Sequence, residues 1–245
     1  MGEFALVMPM AGRGSRFTDG AKAPPKPLLD LWGRPFFWWA AESARRAFNP
    51  VETIFVILKE HVDRFAIRDR IAAVYPNARF AVIDQVTSGA AETASIGVEQ
   101  LNHSGPVIVN DSDHAFVCRS ELAAAIANDP QSTLLTFPSE SPAYSYVRFD
   151  GHGAVAGTVE KQVVSSDAIA GAYLFASPQD YLDAYIGYES DRRYPETFVS
   201  GLFDRLIAQG RPVSSHRIDA HLSFGTPDEL LALGASPAGP WKNWL

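Results

Sequence analysis

The sequence has a single cysteine, no long apolar run and no excess of positive charge, and each shortage excludes a class of protein. Cys118, the one cysteine among 245 residues, cannot form an internal disulfide, and we expect it to be a small buried hydrophobic residue. The apolar stretch 4–11 is too short to span a bilayer and lacks the positive flank of a secretory signal. These features predict a cytoplasmic protein without a membrane partner.

The charge balance argues against a nucleic acid as partner. The chain carries 21 lysines and arginines against 28 aspartates and glutamates, a formal net charge of -7. Proteins that bind the phosphate backbone usually carry an excess of basic residues, because that excess attracts polyanions. The apolar content of 47% is ample for a core, and the sequence contains no repeat or obvious linker. We expect one domain over residues 1–245.

Short apolar runs alternate with helical patterns in residues 1–130. Strands are predicted in "FALVMP", "VETIFVIL", "RFAVID" and "PVIVND", and helices over 36–48, 60–75 and 91–101. Such alternation is typical of βαβ units, whose strands pair in parallel. The pattern predicts an α/β fold with a Rossmann-like, doubly wound, mostly parallel sheet.

The pattern changes in residues 131–235, where the strands leave little room for helices. "STLLTFP", "AYSYVRFD", "AVAGTVEK" and "AIAGAYLFA" predict strands, with a hairpin at "DGHG", so this portion of the mixed sheet should be antiparallel. Two helices follow, and the second carries an apolar face that begins at Phe198. Thr226 is a predicted helix N-cap. The tail, 236–245, is predicted to be irregular, and its two tryptophans should cover this subunit or a neighbouring one.

The stretch "PMAGRGSRF" follows the first predicted strand and carries two glycines and two arginines. A strand that ends in a glycine-containing loop can place backbone N–H groups around phosphate oxygens. A dinucleotide fingerprint would need glycine where Phe17 stands, and a P-loop would need a Gly-Lys-Ser/Thr ending, so neither fits. What remains is a loop with Arg13 and Arg16, followed by Lys26 between the prolines of "PPKP". The prolines restrict the backbone on both sides of this lysine, which is unusual for a solvated residue in a turn.

Together these segments resemble the signature of a known family. "MAGRGSRF" followed by "PPKPLLDLWGRP" is similar to the signature of the nucleotidylyltransferases also called sugar-nucleotide pyrophosphorylases. "QVTSGAAETAS" resembles the family's base-binding segment, and "IVNDSDHAF" resembles its metal-binding strand end. "VEK" and "AIAGAYLFA" resemble its acceptor-binding segments, and "GTPDEL" resembles its closing motif, all in the family's order.

The resemblance implies an enzyme that transfers a nucleoside monophosphate from a nucleoside triphosphate to a phosphorylated acceptor and releases pyrophosphate. The acceptor would most often be a sugar 1-phosphate, and the product would be a precursor of surface polysaccharides. Residues 1–130 would bind the nucleotide and 131–235 the acceptor, with Mg²⁺ as cofactor. A pyrimidine triphosphate is favoured, and the choice among CTP, UTP and dTTP is left open. A homo-oligomer is possible.

By this resemblance, three residues would carry the reaction. Arg16, with Arg13 as helper, would bind the departing β- and γ-phosphates, because a planar guanidinium can bond two oxygens at once. Lys26 would stabilise charge that grows at the α-phosphate. Asp113, just beyond "PVIVN", would ligate Mg²⁺ at the carboxyl edge of the sheet. Asp111 would assist it or cap the following turn.

The other residues implied by the resemblance bind the nucleotide or the acceptor. Those for the nucleotide are Met10, Ala11, Gly12, Arg13, Gly14, Ser15, Gln85, Gly89, Ala90, Thr93 and Asp111. For the acceptor, Glu160 would accept hydrogens from hydroxyl or amine groups, and Lys161 would meet the phosphate. Gly171 and Tyr173 would line the same pocket. The alternative for Glu160 and Lys161 is an exposed ion pair at a strand end.

One position departs from the family's pattern. Relatives often carry a second metal-binding aspartate two residues before the closing Gly-Thr, where this chain has Ser223. Asp219 or His221 could supply the missing ligand from a shifted strand, or Asp113 could hold the metal with the nucleotide alone. His114 is expected to be solvated or hydrogen-bonded rather than catalytic.

Three alternative functions stay open. The first is a cytidylyltransferase acting on a non-sugar phosphate such as phosphocholine. Tyr144, Tyr146 and Tyr173 could line a pocket for its cationic group, or pack within strands. The second is a GT-A-like glycosyltransferase, which would also use the Asp-x-Asp at 111–113 but has no departing pyrophosphate for the early basic loop to bind. The third is a non-catalytic nucleotide sensor, favoured by the departure from the metal-binding pattern.

Overall fold

A mixed sheet organises the part of the chain that this computed structural model describes, residues 2–17, 23–191 and 194–245. Within those residues the strands are β1 (Ala5–Met10), β2 (Asp30–Leu31), β3 (Arg34–Pro35), β4 (Glu52–Leu58), β5 (Arg79–Ile83), β6 (Val107–Asn110), β7 (His114–Val117), β8 (Ser132–Pro138), β9 (Ser145–Phe149), β10 (Val155–Glu160), β11 (Asp167–Phe175), β12 (Val213–Arg217) and β13 (Ala220–Ser223). The α-helices are α1 (Phe36–Phe48), α2 (Lys59–Phe65), α3 (Ile67–Val74), α4 (Ala90–Val98), α5 (Ser120–Asn128), α6 (Pro178–Ser190), α7 (Gly201–Ala208) and α8 (Pro227–Ala232).

The parallel part of the sheet consists of buried strands rich in Val, Ile and Phe. β1 pairs in parallel with β4 on one side and β6 on the other, and β5 extends the sheet beyond β4. Side chains of β1 alternate between two cores, so that Leu6 and Met8 belong to the core that contains α1, and Val7 to the core that contains α4. Helices on both faces allow the strands to be apolar on both sides. The predicted doubly wound α/β arrangement is confirmed.

β11 joins the parallel part of the sheet to an antiparallel part. It pairs antiparallel with β6, β8 and β9, and β9 and β10 form the predicted hairpin. β12 lies parallel to β8, which gives a sheet of nine strands among the described residues. β7 and β13 form a separate antiparallel pair. The antiparallel portion is confirmed, but β12 and β13 were not predicted because "VSSHR" and "AHLS" are too polar to form an apolar run.

The helix bounds agree with the sequence for α1 and differ elsewhere. α1 spans the predicted residues 36–48. The predicted helix over 60–75 is instead α2 and α3, because Ala66 adopts a left-handed conformation with a φ of 51°. α7 begins at Gly201, so Phe198 precedes the helix in which it was predicted. Among the described residues, no helix is both long and apolar enough to cross a membrane.

Cys118 follows β7 and is half-buried, which corrects the expectation of a buried residue. It stands where the β7–β13 pair ends, and its Sγ lies 3.7 Å from the carbonyl oxygen of Arg119. Burial, with the nearby charge of Asp219, raises the pKa of the thiol to about 11. The thiol is therefore protonated at neutral pH and is a poor nucleophile.

The C-terminal tail packs on this same chain. It contains a 3-10 turn, Gly239–Asn243, where the sequence predicted irregular structure. Trp241 is buried, and its ring centroid lies 6.4 Å from that of Trp39 in α1. Trp244 stacks on Trp39 at 5.8 Å. Of the two possibilities left open by the sequence, the tryptophans cover their own subunit.

Candidate active site

Two adjoining cavities open at the edge of the sheet where β1 and β6 end. The first cavity, of about 400 Å³, is lined by the loop after β1 and by residues 86–90 after β5. The second cavity, of about 380 Å³, is lined by the residues after β6 and by parts of β10 and β11. Gly14, Arg16 and Lys26 border both cavities. Ligands of open α/β sheets bind at this edge, so the cavities are the candidate site.

The glycine loop, residues 11–14, packs directly against Lys26. Gly14 has a φ of 62°, and a Cβ at this position would lie 2.7 Å from the Cβ of Lys26. Glycine is therefore required both by the backbone conformation and by the close approach. Phe17, which stands where a dinucleotide fingerprint has its third glycine, packs edge-on against Phe36 with ring centroids 5.9 Å apart. This contact fixes the loop on α1.

Lys26 points into the site rather than into solvent. Its Nζ donates to Oδ2 of Asp113 and, at 3.0 Å, to the carbonyl oxygen of Gly225. The side chain is 15% exposed, which argues against a solvated lysine in a proline turn. Pro27 and Leu28 are buried in the 3-10 turn that begins at Lys26, so they fix the direction of the lysine. The proline-flanked segment thus places a cation beside a carboxylate that lies far away in sequence.

Asp111 and Asp113, at the end of β6, have different electrostatic surroundings. Ligand atoms of Asp111, Asp113 and His114 all lie within 4.8 Å of one another. Burial raises the pKa of Asp111 well above its usual value, and the charge of Asp113 raises it further. Burial also acts on Asp113, but the Lys26 ammonium outweighs it and holds the pKa of that carboxyl below its usual range. Asp113 is therefore ionised, and Asp111 needs a further positive charge to ionise readily.

β11 forms one wall of the second cavity through Gly171 and Tyr173. Gly171 has a φ of 70°, and a Cβ there would lie 2.8 Å from Cδ2 of His114 and 3.2 Å from Oδ2 of Asp111. The Gly171 carbonyl accepts the N–H of Asp111 at 2.8 Å. The Tyr173 hydroxyl bonds to the Asp111 carboxylate, and burial, with that nearby charge, raises the pKa of the tyrosine. Asp111 is thus held by its sheet partner and by Tyr173.

His114 stands between the carboxylates and a second histidine. Its Nδ1 lies 2.9 Å from Nε2 of His221, and its Nε2 lies 3.5 Å from Oδ1 of Asp113. His221 stacks on Phe137 with ring centroids 3.7 Å apart. Burial lowers the pKa of both histidines, so both rings are neutral at pH 7. His221 reaches the carboxylates through His114 rather than directly.

Asp219 lies away from the carboxylates, so the structure does not bring it to the expected metal site. It accepts the backbone N–H of Arg119 at 2.6 Å and the Arg119 guanidinium at 3.0 Å. The cause is the antiparallel register of β13 against β7, which puts Ser223 opposite His114 and leaves Asp219 at the other end of the pair. Ser223 itself donates to Oε1 of Glu229 at 2.7 Å.

Thr197 holds one wall of the first cavity in place. Its N–H donates to the carbonyl of Ser88 at 3.1 Å, and its own carbonyl accepts the N–H of Ala91 at 2.9 Å. A Cβ on Gly89 would lie 2.5 Å from both the backbone N and the backbone O of Thr197. Thr93 donates through its hydroxyl to the carbonyl of Gly89 at 3.1 Å. The loop before α4 therefore has little freedom to move.

Most residues expected to bind the nucleotide border one or both cavities: Met10, Ala11, Gly12, Arg13, Gly14, Gly89, Ala90, Thr93 and Asp111. Arg13 and Arg16 are exposed at the mouth of the first cavity. Gln85 is also exposed but lies outside the described linings, where the following residue, Val86, contributes instead. For Ser15 only the main chain is described, so the expectation for its side chain lies outside the described part of the structure.

Glu160 and Lys161, at the end of β10, both border the second cavity but have different partners. Oε1 of Glu160 accepts the hydroxyl of Ser145 at 2.5 Å and also that of Ser200. Burial raises the pKa of Glu160 despite these hydrogen bonds. Nζ of Lys161 lies 5.6 Å from the ring centroid of Phe198. These contacts argue against a simple exposed ion pair.

Two features of the site were missed in the sequence. Glu196 borders both cavities, and its neighbour Thr197 fixes the loop before α4. The apolar pattern that begins at Phe198 predicts a helix there and gives no sign that the preceding residues, Glu196 and Thr197, belong to the site. Glu229 accepts the hydroxyl of Tyr144 at 2.9 Å, so the closing helix supports an aromatic side chain of the second cavity.

Comparison with known families gives one match that covers nearly the whole chain. A family model described as nucleotidyl transferase matches residues 5–236. No curated protein sequence matches the chain significantly.

Solved structures of similar architecture cover almost all of this chain. A nucleoside-diphosphate-sugar pyrophosphorylase from Vibrio cholerae RC9 is 25% identical with a TM-score of 0.78, over 93% of this chain and 98% of that one. An apo UDP-glucose pyrophosphorylase is 15% identical with a TM-score of 0.75, over 94% and 96% of the two chains. An inositol-1-phosphate CTP transferase from T. maritima is 13% identical with a TM-score of 0.72, over 93% and 91%. At these lower identities the last two show a shared fold.

Proposed function

The chain belongs to the nucleotidyl transferase family and is a nucleotidyltransferase, and we propose that it transfers a nucleoside monophosphate from a nucleoside triphosphate to a sugar 1-phosphate. An oxygen of the acceptor phosphate attacks the α-phosphorus, the bond to the bridging oxygen of the β-phosphate breaks, and pyrophosphate leaves. Both reactants are anions. Catalysis therefore depends mainly on positioning them and on neutralising their charge.

The position of Lys26 carries this proposal. The residue borders both cavities, and its Nζ lies against Asp113. A triphosphate in the first cavity and an acceptor phosphate in the second would meet beside this ammonium. Charge that develops around the α-phosphorus would then be stabilised by a donor already in place, and loss of one such donor typically costs about 3 kcal/mol.

The arginines of the early loop suit the departing pyrophosphate. Arg13 borders the first cavity and Arg16 borders both. Guanidinium groups bind phosphate oxygens in pairs, and both side chains are exposed where they can meet the departing product. A glycosyltransferase would release a nucleoside diphosphate and no free pyrophosphate, so the product distinguishes the two reactions.

Asp111, Asp113 and His114 fit a divalent cation, for which the sequence favours Mg²⁺. Their donor atoms lie within 4.8 Å of one another. The lack of a side chain at Gly171 lets β11 pack closely against His114 and Asp111, and all three donors border the second cavity. When bound, the cation would neutralise phosphate charge near the α-phosphorus. Lys26 keeps Asp113 ionised, and so prepares one ligand in advance.

The two parts of the chain would divide the substrates. Residues 1–130 would bind the nucleotide, with a pyrimidine base favoured, and residues 131–235 the acceptor. The names of two structures of similar fold, a CTP transferase and a UDP-glucose pyrophosphorylase, agree with a pyrimidine. Glu160, held by two serines, would accept hydrogens from acceptor hydroxyls, and Lys161 would meet the acceptor phosphate. The product would be an activated sugar for polysaccharide synthesis.

Pyrophosphate release tests the proposal. The purified protein is incubated with each of five nucleoside triphosphates, a divalent cation, and glucose 1-phosphate, inositol 1-phosphate or phosphocholine. We expect release with at least one pair that contains a sugar phosphate. Lys26→Ala should slow it by about a hundredfold or more. Lys59→Ala is the matched control, because that lysine is exposed in α2 and pairs with Asp63.

Other products would contradict the proposal. Release of a nucleoside diphosphate would indicate glycosyl transfer, and tight nucleotide binding without pyrophosphate from any pair would indicate a sensor. Activity with phosphocholine alone would support nucleotidyl transfer but contradict a sugar 1-phosphate as the acceptor. Equal rates for Lys26→Ala and Lys59→Ala would remove Lys26 from the mechanism.

A further inference from the structure

Ser223 cannot replace the aspartate that relatives often carry at this position. Its hydroxyl donates to Oε1 of Glu229 at 2.7 Å, so it is directed towards α8. The residue opposite Ser223 across the β7–β13 pair is His114. His114 contributes a ring nitrogen to the cluster that contains Asp111 and Asp113. β7 therefore supplies a donor near the carboxylates through His114, whereas β13 supplies none through Ser223.

The contact between the two histidines occupies Nδ1 of His114 and leaves Nε2 for a further partner. Nδ1 of His114 and Nε2 of His221 lie 2.9 Å apart and share one hydrogen. With that hydrogen on Nδ1 of His114, its Nε2 keeps a lone pair and lies 3.5 Å from Oδ1 of Asp113. Histidines that bind metals usually donate their other ring N–H in this way, which fixes the tautomer. The stack on Phe137 holds the His221 ring in position for this contact.

The two oxygens of Asp113 face different partners. Oδ2 accepts Nζ of Lys26, whereas Oδ1 faces Nε2 of His114. A cation bound through Oδ1 would leave the ion pair with Lys26 intact. Asp111, Asp113 and His114 all border the second cavity, so the third donor faces the same space. The three donors therefore lie within 4.8 Å of one another on the wall of one cavity, with Oδ1 of Asp113 on the side of the histidine.

We propose that His114 is the third protein ligand of the divalent cation, through Nε2, and that His221 positions it. The inference depends on the proposed function for the identity of the site. The donor set is then two carboxylates and one imidazole. Mg²⁺ prefers oxygen ligands, whereas Mn²⁺ and Co²⁺ also accept imidazole nitrogen. His114 therefore shifts the preference of the site from Mg²⁺ towards Mn²⁺ and Co²⁺.

Pulsed electron paramagnetic resonance of the full chain loaded with Mn²⁺ alone tests this directly. We expect ¹⁴N coupling from a directly bound imidazole in the wild-type protein. His114→Asp should still bind Mn²⁺, through three carboxylates, but without ¹⁴N coupling. Its preference for Mn²⁺ over Mg²⁺ should fall by about tenfold. His152→Gln is the matched control, because that histidine is exposed in the β9–β10 turn, and it should leave the spectrum unchanged.

A second variant separates positioning from ligation. His221→Phe keeps a ring to stack on Phe137 but removes the nitrogen that faces His114. We expect ¹⁴N coupling to persist while Mn²⁺ affinity falls by about tenfold, as is typical when the partner of a metal-binding histidine is lost. Unchanged affinity in His221→Phe would overturn the positioning role.

Three results would overturn the ligand assignment. The first is Mn²⁺ binding that is abolished by Asp113→Asn but gives no ¹⁴N coupling in the wild-type protein. The second is ¹⁴N coupling that persists in His114→Asp. The third is no Mn²⁺ binding at millimolar concentration. None of these measurements involves turnover. If the enzyme released pyrophosphate but its Mn²⁺ spectrum showed no ¹⁴N coupling, the proposed function would stand and the assignment of His114 as a ligand would be wrong.

Discussion

Small residues of the loops after β1 and β5 line part of the first cavity, whereas the second cavity contains more ionisable side chains than the first. Ala11, Ser88 and Gly89 border the first cavity and not the second. Asp111, Asp113, His114, Glu160 and Lys161 border the second. A loop that lies against a nucleotide needs close approach of the backbone, whereas a reacting centre needs charges at defined positions. The first cavity should therefore be sensitive to added volume, and the second to loss of charge.

The sharpest test of this comparison adds one carbon to the first cavity. A Cβ on Gly89 would lie 2.5 Å from two backbone atoms of Thr197, and backbone cannot rotate away as a side chain can. We expect Gly89→Ala to weaken nucleotide binding by about thirtyfold, or about 2 kcal/mol, measured by titration calorimetry. Gly151→Ala is the control, because nothing lies within 4 Å of its added Cβ. Wild-type affinity in Gly89→Ala would contradict the assignment of this loop to the nucleotide.

The second cavity is tested by removing one charge at constant shape. Glu160→Gln can still accept hydrogen bonds from Ser145 and Ser200, but it loses the negative charge that would bind acceptor hydroxyls. We expect the KM for the acceptor to rise by about tenfold, equivalent to about 1.4 kcal/mol. The KM for the nucleotide should not change. Equal losses for both substrates would indicate that the two cavities do not divide the substrates in this way.

A smaller effect is expected when the wall of the first cavity loses a hydroxyl but keeps its volume. The hydroxyl of Thr197 lies 3.3 Å from that of Ser88 and 3.4 Å from the N–H of Glu92. Thr197→Val removes these contacts and leaves the backbone hydrogen bonds of residue 197 in place. We expect nucleotide affinity to fall by about fivefold, since a hydrogen bond contributes about 1 kcal/mol. If nucleotide affinity fell as much in Thr197→Val as in Gly89→Ala, the hydroxyl, and not the close backbone approach, would determine the conformation of the loop before α4.

The smallest effect concerns an ion pair of the antiparallel part that lies outside both cavities. Arg217 donates to Asp167 through Nε at 2.6 Å, and this hydrogen bond is the main cause that lowers the pKa of Asp167. Stabilisation from a lowered pKa is present above the unfolded value near 4 and is lost as the pH falls through the folded value. We expect Arg217→Gln to lower the free energy of unfolding only slightly at pH 7, because the arginine is largely exposed and solvent screens the pair.

Denaturant unfolding at neutral and at acid pH checks this ion pair. The difference between Arg217→Gln and wild type should disappear below the folded pKa of Asp167, and the rate of pyrophosphate release should not change. A difference that persists in acid would assign the effect to packing of the arginine stem, and a change in turnover would connect this region to the site.

Features that depend on nearby residues could be predicted from the sequence. The apolar pattern of residues 36–48 predicts helix α1 at its observed bounds. Thr226 caps α8 by accepting the N–H of Glu229 at 3.2 Å, as the local pattern indicates. Gly14 and Lys26 could be singled out because glycine and proline restrict the backbone in ways that are visible within a few residues.

Features that depend on distant pairings could not be predicted. His114 and His221 are separated by 107 positions, and the hydroxyls of Ser88 and Thr197 by 109. Their contacts follow from the register of short polar strands and from a connection before α7, neither of which has an apolar pattern. Ala66 ends α2 in a left-handed conformation although alanine favours helices, so intrinsic propensity does not determine the backbone there.

The packing of the tail on α1 also concentrates the tryptophan fluorescence of the molecule in one region away from the cavities. All five tryptophans of the chain, at 32, 38, 39, 241 and 244, form one cluster of ring contacts. The described linings of the two cavities contain no indole. Ultraviolet emission therefore reports detachment of the C-terminus, while a nucleotide can enter and leave with little change in the signal.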